Sequence, residues 1–156
     1  TLPGGEKARI LMMKQETAVR ETFRIVGETI ITIDDYTSGR IFDDAISYSF
    51  YPIDVHDEHG VKPVPLSQGN VPTIPLRALI PRGSRNLLVA GRCVSSDRLA
   101  NSALRVQASC MGMGQAAGAA AALAARLNKT PLEVPVEDIR RLLCENGAIV
   151  PGMCES

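Results

Sequence analysis

The sequence carries no net charge, since its 17 lysines and arginines are matched by 17 acidic residues. A protein without net charge has no long-range field that would attract nucleic acid or an anionic membrane. Hydrophobic residues, at 45% of the 156 residues, supply enough apolar surface for a domain with a real core. We therefore predict a globular protein that binds neither nucleic acid nor a membrane.

The sequence also lacks any C-x-x-C pair among its four cysteines, Cys93, Cys110, Cys144 and Cys154. This absence argues against a zinc module, and the wide spacing argues against a small disulfide-stapled fold. We expect reduced, buried thiols, which are typical of a cytosolic protein.

A signal peptide is missing as well, because the chain starts at Thr1 without a basic segment followed by an apolar one. We expect an upstream portion of the protein to precede Thr1. Residues 106–125 have the length of a bilayer span and no charge, but they are rich in alanine, glycine and glutamine. Because membrane insertion is driven by Leu, Ile, Phe and Val, these residues predict a buried helix of a soluble protein.

The first half of the chain alternates between helical and extended patterns. Residues 6–23 have the apolar spacing of one amphipathic helix, and residues 24–33 are rich in β-branched residues, which favours a strand. Residues 45–55 predict a second strand, with Ile46, Tyr48 and Phe50 on its buried face. An exposed loop follows over residues 56–71, and then a proline-bounded edge or crossover strand over residues 72–81.

The second half predicts a strand, a long helix and a short helix, so the fold class is mixed α and β. Residues 86–91 are a continuous apolar run that indicates a strand buried on both faces. The long helix starts between Ser102 and Ala108 and ends near Asn128. The last helix covers residues 136–144 and closes through a left-handed cap at residues 146–147.

Small side chains dominate the long helix, since residues 106–127 hold nine alanines and three glycines. Each interior glycine costs about 1 kcal/mol relative to alanine, so a packing demand must favour it. Something large therefore lies close against this helix. Its first N–H groups and partial positive charge also favour an anionic or electron-rich ligand.

Three segments of this half resemble the C-terminal flavin-binding signature of FAD-dependent oxidoreductases. They are Asn-Leu-Leu-Val-Ala-Gly-Arg at residues 86–92, Leu-Arg-Val-Gln at 104–107 and Met-Gly-Gln-Ala-Ala-Gly-Ala-Ala-Ala at 113–121. In particular they resemble a bacterial group of these enzymes that is distantly similar to the fumarate reductase and glutathione reductase flavoproteins. Residues 20–28, 51–56 and 74–83 extend the resemblance upstream.

The resemblance implies the C-terminal part of an FAD/NAD(P)-binding-like fold. Residues 1–80 would form helix and strands of a substrate domain, and residues 81–156 would return to the FAD-binding domain. The implied cofactor is FAD, and the implied reaction is hydride transfer from a small-molecule substrate to flavin N5. The implied partner is an N-terminal FAD-binding portion of the same protein. The predicted cofactor contacts are Gly91, Arg92, Arg105, Val106, Gln107, Ala108 and Ser109.

Arg92 departs from the pattern of these relatives, in which an acidic residue usually occupies that position. A cation there would pair with the pyrophosphate instead of accepting a bond from the ribityl chain. The helix start after Arg105 would stabilise the charge that develops at the pyrimidine edge of the flavin.

Asp54 and His56 are the candidate catalytic residues, because they lie at a predicted strand end in the substrate domain and histidine titrates near neutral pH. With Asp57, Glu58 and His59 they form the densest cluster of potential metal ligands. A loop of charged residues needs no function, and a metal site needs fixed geometry, so we predict no metal.

A non-catalytic alternative stays open. The chain has no G-x-G-x-x-G after a strand, so it lacks the main cradle for the adenine and pyrophosphate of FAD. It could then be a stable fragment or an interaction module that does not bind FAD on its own. The glycines at 112, 114 and 118 do not supply that cradle, since they lie inside the predicted helix.

Overall fold

The computed structural model describes residues 23–57, 60–61 and 63–153, together with Lys7, Arg9 and Met12. The helix predicted for residues 6–23 lies almost wholly outside the described residues.

The described residues form a mixed α and β structure, as predicted. In chain order the elements are α1 (Ile33–Thr37), β1 (Ala45–Tyr48), β2 (His56–Asp57), β3 (Gly60–Val61), β4 (Thr73–Pro75), α2 (Arg98–Leu104), α3 (Gln107–Leu127) and α4 (Val136–Glu145). Strands β1 and β4 pair antiparallel, and β2 and β3 form a second antiparallel pair. Short 3₁₀ turns occupy Leu76–Ala78 and Pro131–Glu133.

The long helix and the last helix are where the sequence predicts them. Helix α3 ends at Asn128, whose φ of 52° places it in the left-handed region that terminates many helices. Helix α4 is followed by Gly147 with a positive φ of 76°. Helix α2 was not predicted, and its start depends on Asp97, whose side chain accepts a hydrogen bond from the N–H of Ala100.

Strand β1 is shorter than predicted, and its first three residues are all buried instead of alternating. Ser47 and Ser49 are buried, whereas Phe50 is 71% exposed. The ladder with β4 is irregular between Ala45 and Ser47, and this bulge changes which side chains face inward. The apolar alternation therefore holds for Ile46, which is buried, but not for Phe50, and close packing and hydrogen bonds on α3 bury the serines as well.

Two other predicted strands are not regular strands. Residues 24–33 make only isolated bridges, from Gly27 to Pro81 and from Ile31 to Ser96, before α1 begins. Residues 86–90 belong to no strand, and Leu87 is 52% exposed. No neighbouring parallel strand is present among the described residues to pair with this apolar run, which explains its exposure.

The core forms where α3 packs on β1, on α4 and on the turn at Pro131–Glu133. Ile31, Ile74, Leu104 and Ile139 are all essentially inaccessible to solvent. Both predicted parts of the chain, residues 1–80 and 81–156, therefore contribute to one core within the described residues. The division into two domains stays a prediction.

The cysteines differ from the expectation of four reduced thiols. Cys93 and Cys110 are free and partly buried, but Cys144 is disulfide-bonded. A disulfide is more typical of proteins in an oxidising compartment than of proteins in the cytosol. Among the helices of the described residues, none is long and apolar enough to cross a bilayer.

Candidate functional site

The start of α3 opens into a cleft of about 660 Å³. Three parts of the chain surround it: the segment after β1, the turn before α2, and the junction between α2 and α3. The residues that line the cleft are Tyr51, Asp54, Arg92, Ser102, Arg105, Val106, Gln107, Ala108 and Cys110.

The first turn of α3 offers unpaired backbone donors to this cleft. Val106 precedes the helix in an extended conformation, and no side chain caps the helix start. The N–H groups of Gln107, Ala108 and Ser109 have no acceptor among the described residues. A helix of 21 residues also concentrates a partial positive charge at this end. This end of the cleft therefore favours an anionic or electron-rich group.

Arg105 brings a guanidinium to the cleft at the end of α2. Its Nη2 donates to the backbone carbonyl of Asp54 at 3.0 Å. The N–H of Asp54 in turn donates to Ser102 Oγ at 3.0 Å. These two bonds tie the segment after β1 to α2 and fix one wall of the cleft.

Arg92 lies in a tight turn that begins at Gly91. The N–H of Val94 donates to the carbonyl of Gly91 at 3.1 Å, and Gly91 has a φ of 96°, which only glycine adopts readily. The carbonyl of Arg92 accepts a hydrogen bond from Asn101 Nδ2 at 3.2 Å, and the same amide donates to Ser96 Oγ. Asn101 is fully buried, so it anchors this turn to α2.

The structure brings most of the predicted site residues together around the cleft. Asp54 lines it with five of the predicted cofactor contacts, which are Arg92, Arg105, Val106, Gln107 and Ala108. Gly91 shapes the turn but does not line the cleft, and the Ser109 side chain is buried against Ser49 Oγ at 2.8 Å. Ser109 can therefore offer only its backbone N–H at this end of α3, and not its hydroxyl.

The side chain of His56 lies outside the part of the chain that the structure describes. Its backbone belongs to β2, two residues after Asp54. Within the part of the chain that the structure describes, no three His, Cys, Asp or Glu side chains converge as a metal site would require.

Sequence reasoning missed Tyr51, Ser102, Cys110 and the anchor Asn101. Nothing in their local sequence marks them, because their positions depend on contacts between distant segments. Burial raises the pKa of the Cys110 thiol, and the nearby Arg92 only partly opposes that effect. A thiol with a raised pKa stays protonated and is a poor nucleophile, as expected for an inert cysteine.

One face of α3 is exposed to solvent, and we call it the open face. It consists of Met111, Gly114, Gly118, Ala121, Ala122 and Ala125, and it carries no charge. A Cβ added at Gly114 or Gly118 would meet nothing within 4 Å, whereas one added at Gly112 would overlap Ser47 Oγ. The glycine at 112 is thus explained by packing on β1, and the other two are not.

A groove of about 600 Å³ lies beside the open face. Its walls are Asn86, Leu87 and Leu88 on one side and the small residues of α3 around Ala121 on the other. The groove shares Ala121 and Ala125 with the open face, and Asn86, Asn128 and Lys129 add polar groups to its lining.

The comparison with family models agrees with the character of the cleft. The model for FAD dependent oxidoreductases matches residues 1–143, which includes every residue that lines the cleft. No curated protein and no solved structure matches the chain. FAD is the cofactor of this family, and an open helix start beside two arginines suits an anionic, electron-rich cofactor. The chain belongs to the family of FAD dependent oxidoreductases.

Proposed function

We propose that this chain forms the pyrimidine-side wall of the FAD site in an oxidoreductase that transfers a hydride from a small-molecule substrate to the flavin. The observation that carries the proposal is the start of α3, where the uncapped first turn lies at a cleft that also holds Arg92 and Arg105. Bound FAD supplies the acceptor for two electrons and a proton. The chain itself supplies fixed dipoles and charges around it.

The backbone N–H groups of Gln107, Ala108 and Ser109 stabilise negative charge at the pyrimidine edge. They are already oriented by the helix, so they do so without reorganisation. The guanidinium of Arg92 would pair with the pyrophosphate, and the turn at Gly91 together with the bond from Asn101 to the Arg92 carbonyl fixes the backbone from which that side chain extends. Arg105 closes the wall between these groups, because its bond to the Asp54 carbonyl restricts its orientation.

The helix start can be tested by a substitution that removes one N–H group. Gln107 is the first residue of α3, and Val106 before it has the extended backbone that a following proline requires, so Gln107→Pro breaks no intrahelical bond. Gln107→Ala is the matched control, since it removes the side chain but keeps the N–H. Both variants are compared in the full-length protein with bound FAD.

We expect the midpoint potential of the flavin to be about 30–60 mV lower in Gln107→Pro than in Gln107→Ala. This is the size of one lost hydrogen bond to a charged group, about 1.5–3 kcal/mol, for a two-electron couple. Equal potentials in the two variants would reject the role of the helix start.

We also propose that His56 and Asp54 move the proton that accompanies hydride transfer. Asp54 lies at the cleft, and His56 follows it by two residues on β2. In the full-length enzyme, His56→Ala should slow flavin reduction and leave the FAD content unchanged. A loss of FAD instead would show that His56 supports the fold or the cofactor site.

The partner that we propose is an FAD-binding portion of the same protein, upstream of this sequence, which packs on the open face. Its two unexplained glycines and its uncharged surface support close packing of a large apolar partner. The apolar run after Asn86, in which Leu87 is exposed, supports a neighbouring strand from that partner, since such runs are typical of strands buried on both faces.

Gly118→Leu in the full-length protein tests this partner. Leucine favours helix more than glycine by roughly 0.8 kcal/mol, and no described residue lies within 4 Å of a Cβ added at this position. If the open face is covered, the variant should nevertheless retain less FAD and unfold at a lower temperature. Glu145→Leu adds the same side chain at an exposed position of α4 and should change neither property. Unchanged FAD retention in Gly118→Leu would contradict the proposal.

The alternative function is that of a fragment or interaction module without bound FAD. It is favoured by the lack of a G-x-G-x-x-G sequence, since the main cradle for the adenine and pyrophosphate would then have to come from residues outside this sequence. The flavin absorbance of the purified 156-residue chain separates the two. A yellow, stoichiometric complex contradicts the alternative, whereas a colourless chain beside a yellow full-length protein supports it.

A further inference from the structure

A buried chain of hydroxyl groups connects the two walls of the cleft. Tyr36, in α1, is fully buried, and its hydroxyl donates to the carbonyl of Tyr51 at 3.0 Å. The same hydroxyl lies 3.1 Å from Ser49 Oγ, which lies 2.8 Å from Ser109 Oγ. Tyr51 belongs to one wall of the cleft. Ser109 belongs to the first turn of α3, which forms the other wall.

The donor and the acceptor of each hydrogen bond among these hydroxyl groups can be assigned. A carbonyl can only accept, so the single hydroxyl proton of Tyr36 goes to Tyr51. Ser49 must then donate to the Tyr36 oxygen, and Ser109 must donate to Ser49. The N–H of Tyr51 also donates to the Tyr36 oxygen at 3.2 Å, which fills its second lone pair.

We propose that Tyr36 is a positioning residue for the cleft: its hydroxyl holds Tyr51 and the first turn of α3 in a fixed relation and turns the Ser109 proton away from the cleft. The first turn of α3 then presents backbone N–H groups alone. The consequence for the flavin rests on the proposed function, whereas the coupling of the two walls does not.

The hydroxyl of Tyr36 makes these hydrogen bonds, whereas its ring contributes only apolar packing. The ring belongs to the same buried core as Ile46 and Ile74, and phenylalanine would fill the same space. Tyr36→Phe therefore removes the hydrogen bonds and leaves the apolar packing. Ser49→Ala cuts only the branch that leads to α3, because Tyr36 keeps both of its bonds to Tyr51. Tyr48→Phe is the matched control, since no hydrogen bond joins its hydroxyl to another described residue.

The first measurement is amide hydrogen exchange of the full-length protein without flavin. In Tyr36→Phe, exchange should become about tenfold faster at Tyr51, which loses its acceptor, and at Cys110, which reports the first turn of α3. In Ser49→Ala it should become faster at Cys110 only, and in Tyr48→Phe at neither residue. Exchange in α4 should stay unchanged in all three variants.

The second measurement is the midpoint potential of bound FAD. In Tyr36→Phe and Ser49→Ala, the preference for reduced over oxidised flavin should fall about threefold to tenfold, which is about 15–30 mV. In Tyr48→Phe it should not change. A displaced first turn weakens the N–H bonds to the flavin, whereas a purely structural role would leave the potential of the retained flavin unaltered.

Two results would overturn the proposal. One is unchanged exchange at Tyr51 and Cys110 in Tyr36→Phe. The other is uniform acceleration that includes α4, which would mean a general loss of stability. If the wild-type protein binds no flavin, the proposed function fails, and the exchange measurements still decide whether Tyr36 couples the two walls.

Discussion

The contact between Gly112 and Ser47 allows a prediction about stability that can be worked out from the structure. Helix α3 and strand β1 approach so closely here that a Cβ at residue 112 would overlap Ser47 Oγ. Relief requires Ser47 to rotate and to lose its hydrogen bond to the carbonyl of Tyr48 at 3.1 Å. Gly112→Ala should therefore destabilise the protein, although alanine is the better helix former.

The magnitude follows from two opposing terms. Overpacking of a well-packed contact costs about 1–3 kcal/mol, and replacing glycine by alanine inside a helix contributes about 1 kcal/mol. The net change in the free energy of unfolding is a loss of up to about 2 kcal/mol. In a Ser47→Ala background the nearest obstacle is the Cβ of residue 47 at 3.4 Å, which is an ordinary contact. There the substitution at Gly112 should stabilise by about 1 kcal/mol.

Urea unfolding of the two single variants and the double variant measures this coupling. Ser49→Ala supplies a control background, because Ser49 is buried on the same segment but lies near Ser109 and not near Gly112. In the Ser49→Ala background, Gly112→Ala should lower the free energy of unfolding by the same amount as in the wild-type protein. The packing explanation fails if Gly112→Ala costs the same with Ser47 present and absent.

Three further predictions concern the supports of the site. Asp97→Ala should destabilise by about 1–2 kcal/mol in urea, because its carboxylate caps α2 and accepts the first N–H of α1 at 2.6 Å. Arg140→Ala should cost about 2–3 kcal/mol, since its guanidinium binds two carbonyls near β1 at 2.8 and 2.7 Å, and Arg140→Lys should lose about half of that. Burial raises the pKa of the Asp35 carboxyl, but hydrogen bonds, chiefly from Arg40, outweigh it and leave the pKa below its ordinary value. The stability that Asp35 contributes is therefore present above its unfolded pKa and is lost as the pH falls through the folded pKa. Asp35→Asn should make the free energy of unfolding less sensitive to pH in that acidic range.

Much of the helical structure could be predicted from the sequence. Helix α3 is long, uncharged and bounded by a left-handed Asn128, and α4 has clear apolar spacing before Gly147. The strands were harder to predict, because β1 and β4 pair over only a few residues and a bulge interrupts them. The apolar run at residues 86–90 misled the prediction, since an apolar run alone does not provide the neighbouring strand that regular pairing requires, and residues 87–90 pair with none among the described residues.

The site could be predicted only in part. The resemblance to flavoproteins identified Arg92, Arg105 and the start of α3, which do meet at one cleft. It did not identify Tyr51, Asn101 or the hydroxyl chain from Tyr36, because these contacts join residues that are far apart in the sequence and have no motif of their own.

The bulge in β1 restricts how the length of this segment can vary. Side chains alternate along a strand, so deleting or inserting one residue between Ala45 and Ser49 would reverse every side chain that follows. Phe50 would then be forced against α3 where a hydroxyl now fits, and the hydrogen-bonded serine would point into water. Related sequences should therefore tolerate substitutions in β1 far better than changes in its length, and gaps in an alignment should fall in the exposed loop before β4.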